Sequence, residues 1–404
     1  MKITTPKSVN IIIKILNDNG YEAYAVGGCV RDAILGKEPN DWDITTSALP
    51  EQVKELFHKT IDTGIAHGTV TVMIDRVGYE VTTYRIDGEY EDGRHPKNVE
   101  FTGNLIEDLK RRDFTINAMA YNGRDGIVDA FDGISDINNR IIRCVGVPQD
   151  RFNEDALRIL RTVRFSATLD FEIEEETYKA VKELAGNLEK ISKERIQAEL
   201  EKLLMSEHPD RIITLYDTGI ANVIFPEIVR LKEMDKLDEV AEMLGKMPEN
   251  HYLRWSCLFA FSTKQEASGQ LRNLKFDNKT IDVVSRIVDA SKRELPKTAG
   301  EIRRDVFEIG EDVYKYYLEF MKIFMEERKD EISGIEKEYG EILERGECTS
   351  LKGLAVNGRD LIELGVKRGS EVGEGLKMLL YKVLENPNLN ERETLLNIFV
   401  ENRS

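Results

Sequence analysis

Asp41 and Asp43, separated by one residue, are the pair in this chain best suited to chemistry. On an extended strand, positions i and i+2 face the same side, so both carboxylates point together. Two like charges that close are costly unless a cation sits between them. Alone, such a pair reads equally well as an exposed acidic strand edge. Here it follows shortly after Gly27-Gly28-Cys29-Val30-Arg31-Asp32. That setting favours oxygen ligands for Mg²⁺ that also holds a nucleoside triphosphate. Paired glycines after a strand let backbone amides approach an anion, and Arg31 can add a charge-assisted contact. Glu80, between Tyr79 and Val81, is either a third carboxylate or an outward polar residue of an alternating strand.

Two further blocks carry positive charge. Lys110-Arg111-Arg112 suits phosphate or ribose contacts, and apolar residues resume at once in Phe114-Thr115-Ile116-Asn117-Ala118-Met119-Ala120, which pins the charges near packed structure. The second block runs from Arg151 to Phe165. On a helical wheel, Phe152, Ala156, Ile159, Leu160, Val163 and Ala167 form one apolar stripe. Asp155, Arg158, Arg161 and Arg164 spread over the opposite half, and Phe165 alone among apolar residues falls with them. An ordinary solvated face has this look, but three arginines and almost no lysine favour planar recognition of base edges and phosphates.

Asp155 and Arg158, at i and i+3 of one helix, would be neighbours. Asp accepts hydrogen bonds and Arg only donates. Cytosine and adenine each present an amino donor beside a ring acceptor; guanine and uracil present the reverse. One Asp and one Arg would therefore accept C and A and reject G and U, at about 1–3 kcal/mol for each buried polar group left unsatisfied. The plainer alternative is an intrahelical salt bridge, worth about 0.2–0.5 kcal/mol.

The elements that must hold these residues change along the chain. Residues 1–145 read as mixed α/β: a helix at Val9–Asn17, then strands at Tyr21–Val26, Trp42–Thr45, Gly68–Ile74 and Tyr79–Tyr84, the last two joined by a turn at Arg76–Gly78. From Pro148 the period becomes helical, with amphipathic stretches at Phe152–Leu169, Glu175–Leu184 and Ser192–Leu204. Most of 206–350 is helical too, broken near Pro209, Pro226, Pro248, Pro296 and Gly346. The fold class expected is α+β, a mixed-sheet head followed by helices only.

Four hundred and four residues are enough for two to four domains with packed cores. The net charge of −17 speaks at first against a polyanionic partner. It is unevenly spread: residues 110–164 hold 10 basic and 8 acidic residues, and the last 54 hold 8 of each, so contact with a polyanion should be local. No apolar run approaches the roughly 18 residues of a membrane helix. The four cysteines are far apart, giving little support for zinc or disulfides, and a reducing cytoplasm is the expected compartment.

These blocks, in this order, resemble the class II CCA-adding tRNA nucleotidyltransferases, a family shared with bacterial poly(A) polymerases. The matching stretches are Gly27–Asp32, Asp41–Asp43, His67-Gly68-Thr69, Glu80–Thr83, Arg111–Ala120, Arg151–Phe165, Arg195–Leu204 and Leu354–Gly365. The resemblance implies a seahorse-like molecule: a nucleotidyltransferase head (1–145), a base-recognising neck (146–205), a body (206–350) and a tRNA-binding tail (351–404). It implies Asp41 and Asp43 as Mg²⁺ ligands, with Glu80 a less secure third. Gly28, Arg31 and Arg112 would contact the nucleotide, Asp155 and Arg158 its base, and Arg161 and Arg164 further parts of it. The implied substrates are tRNA, CTP and ATP, with no membrane and no obligate protein partner.

Within the family, poly(A) polymerases tend to carry basic stretches after the Asp-x-Asp block and in the tail. Here those places read Thr63-Gly64-Ile65-Ala66-His67-Gly68-Thr69 and a neutral C-terminal segment. Members adding only CC look shortened between the first blocks. Here Arg85–Phe101 is present, with Asp87, Tyr90, Asp92 and Arg94, and its composition suits a loop that re-aims the pocket from CTP to ATP. Full CCA addition is therefore expected ahead of A-only addition, and ahead of a binding paralogue that has lost catalysis. No His-Asp dipeptide occurs, so no phosphohydrolase activity is expected.

Overall fold

A computed structural model describes residues 2–88 and 99–402. Tyr90, Asp92 and Arg94, and the side chain of Asp87, lie outside what it describes. Two compact units follow one another along the chain, Met1–Leu237 and Asp238–Ser404.

The first unit opens with helix α1 (Lys7–Asp18), whose Val9, Ile12, Ile13 and Leu16 are buried at helical spacing. Strands β1 (Ala23–Val26), β2 (Ile44–Thr46), β3 (Thr60–Gly64), β4 (Thr69–Ile74) and β5 (Val77–Thr83) follow. Between them lie the short helices α2 (Gly28–Ile34) and α3 (Pro50–Leu56). A small antiparallel pair, β6 (Arg85–Asp87) with β7 (Val99–Phe101), precedes α4 (Leu105–Lys110). Strands β8 (Met119–Asn122) and β9 (Gly126–Asp129) complete a seven-stranded mixed sheet in the order β3-β4-β5-β2-β1-β8-β9, and helix α5 (Gly133–Asn139) follows. Only β2 and β5 pair in parallel; the other neighbours are antiparallel.

Three local expectations are corrected. The Asp-x-Asp block lies just before β2 rather than inside a strand running from Trp42. Its backbone is nevertheless held as an extension of the sheet, because the Val26 N–H donates to the Asp43 carbonyl at 3.0 Å. The β4–β5 turn lies earlier than Arg76–Gly78: Asp75 and Arg76 take φ of 51° and 69°, and Ile74 pairs with Val77. Positive φ at both central residues is what a two-residue hairpin turn demands. Gly78 instead sits in β5, where a Cβ would come within 2.8 Å of Thr71 Cγ2, so the glycine serves strand packing.

The third correction concerns the arginine-rich helix. The stretch expected as one helix from Phe152 to Leu169 is two, α6 (Pro148–Glu154) and α7 (Leu157–Leu169). Asp155 between them is extended, with φ −136° and ψ 103°, and its side chain accepts from the Leu157 N–H at 3.0 Å. An Asp that satisfies a nearby backbone donor competes with continuation of the helix. Nor is the charged face solvated: Arg158 and Arg164 are buried.

Helices α8 (Glu175–Leu184) and α9 (Lys193–Leu204) fall where periodicity put them. On α9, Ile196, Leu200, Leu203 and Leu204 are buried, and Glu199 is buried among them at 4% exposure. Its carboxylate stands 2.7 Å from Arg164 and 3.8 Å from Arg161, both on α7.

The second unit is helical. The expected breaks fall at helix junctions: Pro248 between Leu237–Lys246 and His251–Leu258, Pro296 before Ala299–Ile309, and Gly346 after Lys329–Glu344. Its core includes Trp255, Phe259, Tyr314, Tyr317 and Phe320. Buried Arg303 donates to the carbonyls of Leu384 and Glu385 at 2.7 and 3.2 Å and pairs with Glu347 at 2.6 Å, which fixes the end of the helix Ser370–Glu385. Among the described residues no helix is long and apolar enough to cross a membrane.

Removing one partner of a buried ion pair leaves the other charge uncompensated, which costs about 3–5 kcal/mol. Glu199→Gln should therefore lower the urea-unfolding free energy of the first unit by about 3 kcal/mol. A loss below about 1 kcal/mol, the worth of an exposed pair, would show that water already screens this contact.

Candidate active site

Asp41 and Asp43 are exposed while Trp42 between them is buried, so the two carboxylates share a face. The parallel register adds Glu80. Ile44 pairs with Val81 and Thr45 with Thr82, so one residue earlier Asp43 lies beside Glu80. Neighbouring strands are about 4.8 Å apart. All three carboxylates line a cavity of about 600 Å³, together with Asn40, Thr71 and Tyr79. Asp43 and Glu80 also line a smaller cavity of about 190 Å³, walled by Thr69, Thr82, Arg85, Arg111 and Arg112. The carboxylate row thus divides an acidic depression from an arginine-lined one.

Asp43 opens onto both cavities but is flanked by protein on its other sides. That desolvation, then the negative charges of Glu80 and Asp41, raise its carboxyl pKa above the ordinary value, against the pull of Arg112. The site thus holds more negative charge than it neutralises itself.

The glycine turn and the basic block meet next to it. Gly27 has φ 85°, and a Cβ there would lie 3.0 Å from Arg112 Nη1, so glycine is required both for the turn and for the close approach of the guanidinium. Arg112 Nε is buried with no hydrogen-bond partner among the described residues. Arg111 and Arg112 are held from beneath by fully buried Asp108, at 2.7 and 3.4 Å. Asp108 also accepts from the Thr45 hydroxyl at 3.2 Å. Burial alone would raise its pKa, but the two guanidiniums hold it below the usual carboxylate range.

A second buried carboxylate, Asp113, ties α2 to α7. Arg31 donates to Asn117 Oδ1 at 2.6 Å, and Asn117 Nδ2 donates to Asp113 Oδ1 at 3.0 Å. Arg161 donates to Asp113 Oδ2 from Nε and Nη2 at 2.9 and 2.6 Å. Burial of Asp113 opposes its ionisation, yet Arg161, Asn117 and Arg158 keep it ionised far below the normal range.

The expected base-reading residues have other partners than a helical neighbour pair would give. Asp155 pairs with Arg195 at 2.8 Å, and Arg195 Nη1 is buried without a partner among the described residues. Arg158 pairs with Glu154 at 2.6 Å and donates to the carbonyls of Arg151 and Arg111 at 3.1 and 2.9 Å. The last bond joins α7 to the basic block. Gly28 lies beside the Arg31 guanidinium, where a Cβ would meet Nη2 at 3.5 Å.

Three family models cover most of the chain: the poly A polymerase head domain at residues 23–143, a "probable RNA and SrmB-binding site of polymerase A" at 170–231, and tRNA nucleotidyltransferase domain 2 at 247–399. The CCA-adding enzyme of Ligilactobacillus salivarius is 36% identical over 95% of this chain and 94% of its own. That of Pediococcus pentosaceus is 38% identical over 96% and 95%. The chain belongs to the CCA-adding enzyme family. The crystal structure of the Bacillus stearothermophilus CCA-adding enzyme in complex with CTP, 32% identical, superimposes with a TM-score of 0.82 over 99% of this chain and 98% of that one. The α+β nucleotidyltransferase fold follows from the same likeness.

Against that family background, sequence reasoning missed Asp108, Asn117 and Glu199. Asp108 was findable, since it stands three and four residues before Arg111 and Arg112, the spacing of helical ion pairs. Asn117 and Glu199 act across elements, and no local pattern marks them. Among the described residues no group of three His, Cys, Asp or Glu side chains is arranged to enclose a metal ion. The donor set, two or three carboxylates on one open face, fits instead a hard cation shared with substrate phosphates.

Because ionised Asp43 is disfavoured in the folded protein, its charge costs stability above its raised pKa, and the cost fades as pH falls and the carboxyl is protonated. In metal-free buffer at neutral pH, Asp43→Asn should therefore raise Tm above that of the wild type. The gain should vanish near pH 4. A lower Tm at neutral pH would show that the carboxylates do not repel one another.

Proposed function

We propose that this chain adds C, C and A in turn to the 3′ end of tRNA, from CTP and ATP, without a nucleic-acid template and with release of pyrophosphate. The observation that carries the reading is the row of Asp41, Asp43 and Glu80 against an arginine-lined cavity, in a chain similar over nearly its whole length to CCA-adding enzymes. The division into head, neck, body and tail at 1–145, 146–205, 206–350 and 351–404 belongs to the same proposal.

Asp41 and Asp43, with Glu80 beside them, would hold Mg²⁺. When bound, the cation neutralises the triphosphate, lowers the pKa of the attacking 3′-hydroxyl and stabilises the departing pyrophosphate. Arg31 and Arg112, with the backbone at Gly27-Gly28, hold the phosphates. Arg112, held by Asp108, lines the smaller cavity beside Asp43 and presents its charge to a phosphate there. Asp155 accepts from the exocyclic amino group of C or A, and Arg158 donates to the adjacent ring nitrogen. Arg195 and Glu154 orient the two. Arg161 and Arg164, fixed by Asp113 and Glu199, complete the positive wall.

Incubation with Mg²⁺ and tRNAs ending before CCA, after C or after CC, with CTP and ATP singly and together, decides the reading. The expected products end at CCA. Addition of A only to a CC-ended tRNA would assign the A-adding reaction; long A tracts would assign poly(A) synthesis; CTP binding without transfer would make this a binding protein. Asp41→Ala or Asp43→Ala should reduce transfer at least about 1000-fold, a loss of roughly 4 kcal/mol of transition-state stabilisation, with an unchanged circular dichroism spectrum. Near-normal activity in either variant would remove the metal assignment. Asp155→Ala should weaken discrimination against GTP and UTP by about 5- to 150-fold, from 1–3 kcal/mol per unsatisfied group. Unchanged selectivity would refute base reading by this residue.

A further inference from the structure

Phe165 is the apolar residue that falls in the charged half of its helix, and the structure gives it an occupation. Three guanidiniums from two elements gather on its ring. Arg164, its neighbour in sequence, lies 3.7 Å from the ring centroid, Arg161 on the same helix 5.2 Å, and Arg31 on α2 5.1 Å. The ring is 5% exposed. Its own orientation is fixed by Phe114, which meets it edge-on at 5.5 Å and 81° and which is itself fully buried next to Asp113.

Three like charges do not collect without cause. Each guanidinium has an acidic partner at its edge: Asp32 for Arg31, Asp113 for Arg161, Glu199 for Arg164. Asp32 and Asp113 accept from N–H groups in the guanidinium planes of Arg31 and Arg161, while Glu199 stands 2.7 Å from Arg164 Nε without a hydrogen bond. An aromatic face is the complementary surface, since it attracts cations through its quadrupole and accepts weakly hydrated guanidinium faces. A Leu or Met of similar bulk would fill the space but supply no such attraction. The crowding shows in Arg164, whose pKa burial lowers to about 10, with Arg161 and Arg31 adding to the fall and Glu199 opposing it.

We propose that Phe165 is a positioning residue for the nucleotide: its ring locks Arg31 of the head and Arg161 and Arg164 of the neck into one pre-formed array. The ordering of three long side chains is then met on folding rather than on binding, which is how a preformed site gains affinity. Because the ring touches arginines from both α2 and α7, it also fixes the spacing between the phosphate side and the base side of the site. This inference rests on the reading of those arginines as nucleotide contacts.

The test compares wild-type protein with Phe165→Leu and Phe165→Tyr in the tRNA assay described above, measuring kcat and KM for CTP, ATP and tRNA, and Tm. Phe165→Leu should raise KM for both nucleotides about tenfold. Its kcat should stay within about threefold, and its KM for tRNA should not change. Phe165→Tyr, which keeps the ring, should restore nucleotide KM to within about twofold of wild type. Should Phe165→Leu fail to fold, Phe165→Met takes its place in the same comparison. Unchanged nucleotide KM in the ring-less variant would overturn the proposal. So would equal impairment of the Leu and Tyr variants, or a KM for tRNA that rises in step with those for nucleotides, since each marks a general structural role. Absence of transfer by the wild-type protein would instead refute the proposed function.

Discussion

Buried carboxylates make this site possible. Asp108, Asp113 and Glu199 are all but removed from water, and each carries one or two guanidiniums on its outward side. A bare carboxylate at such depth would protonate; an arginine array without anchors would sprawl into solvent. Asp108 with Arg111 and Arg112 gives an arginine-lined cavity to a chain whose net charge is −17. The overall charge is therefore a poor guide to the partner, because what matters for a phosphate is the field within a few ångströms.

The opposite arrangement holds on the other side of the sheet's central pair. There the parallel register of β2 and β5 sets Asp43 next to Glu80, and the pull of Arg112 does not offset the burial and repulsion that Asp43 feels. Two neighbouring cavities thus have opposite character, and the same two carboxylates border both. Negative charge on one side and positive on the other suit a reaction that joins an anionic substrate to a hydroxyl through a shared cation. Under the proposed function, the surplus charge on the acidic side is a strain that substrate and ion would relieve, a common exchange of stability for function.

Much of this was legible in residue types alone. The glycine turn, the Asp-x-Asp spacing and the basic triplet each carry a local physical signature, and the structure brings all three within reach of Arg112. The helices of residues 175–204 were legible because their apolar periodicity is unbroken. What escaped were relations between elements. Glu80 could not be told from an outward strand residue until the register with β2 was known. Asn117 looks like filler between Ile116 and Ala118, yet bridges Arg31 to Asp113. The helix break at Asp155 was hidden because the apolar stripe continues through it: Phe152, Ala156, Ile159 and Leu160 are buried on both sides of the interruption.

That interruption changes what the two residues flanking it can do. In a continuous helix the separation of positions 155 and 158 would be dictated by the 3.6-residue period, and any adjustment would rotate everything downstream. With the chain extended at Asp155, the acid is carried by the joint and the guanidinium by α7. The spacing of acceptor and donor is then set by the ties of Asp155 to Arg195 and of Arg158 to Glu154 rather than by the helical period. Under the proposed function, the joint would act as a calliper that spans a one-ring and a two-ring base in succession.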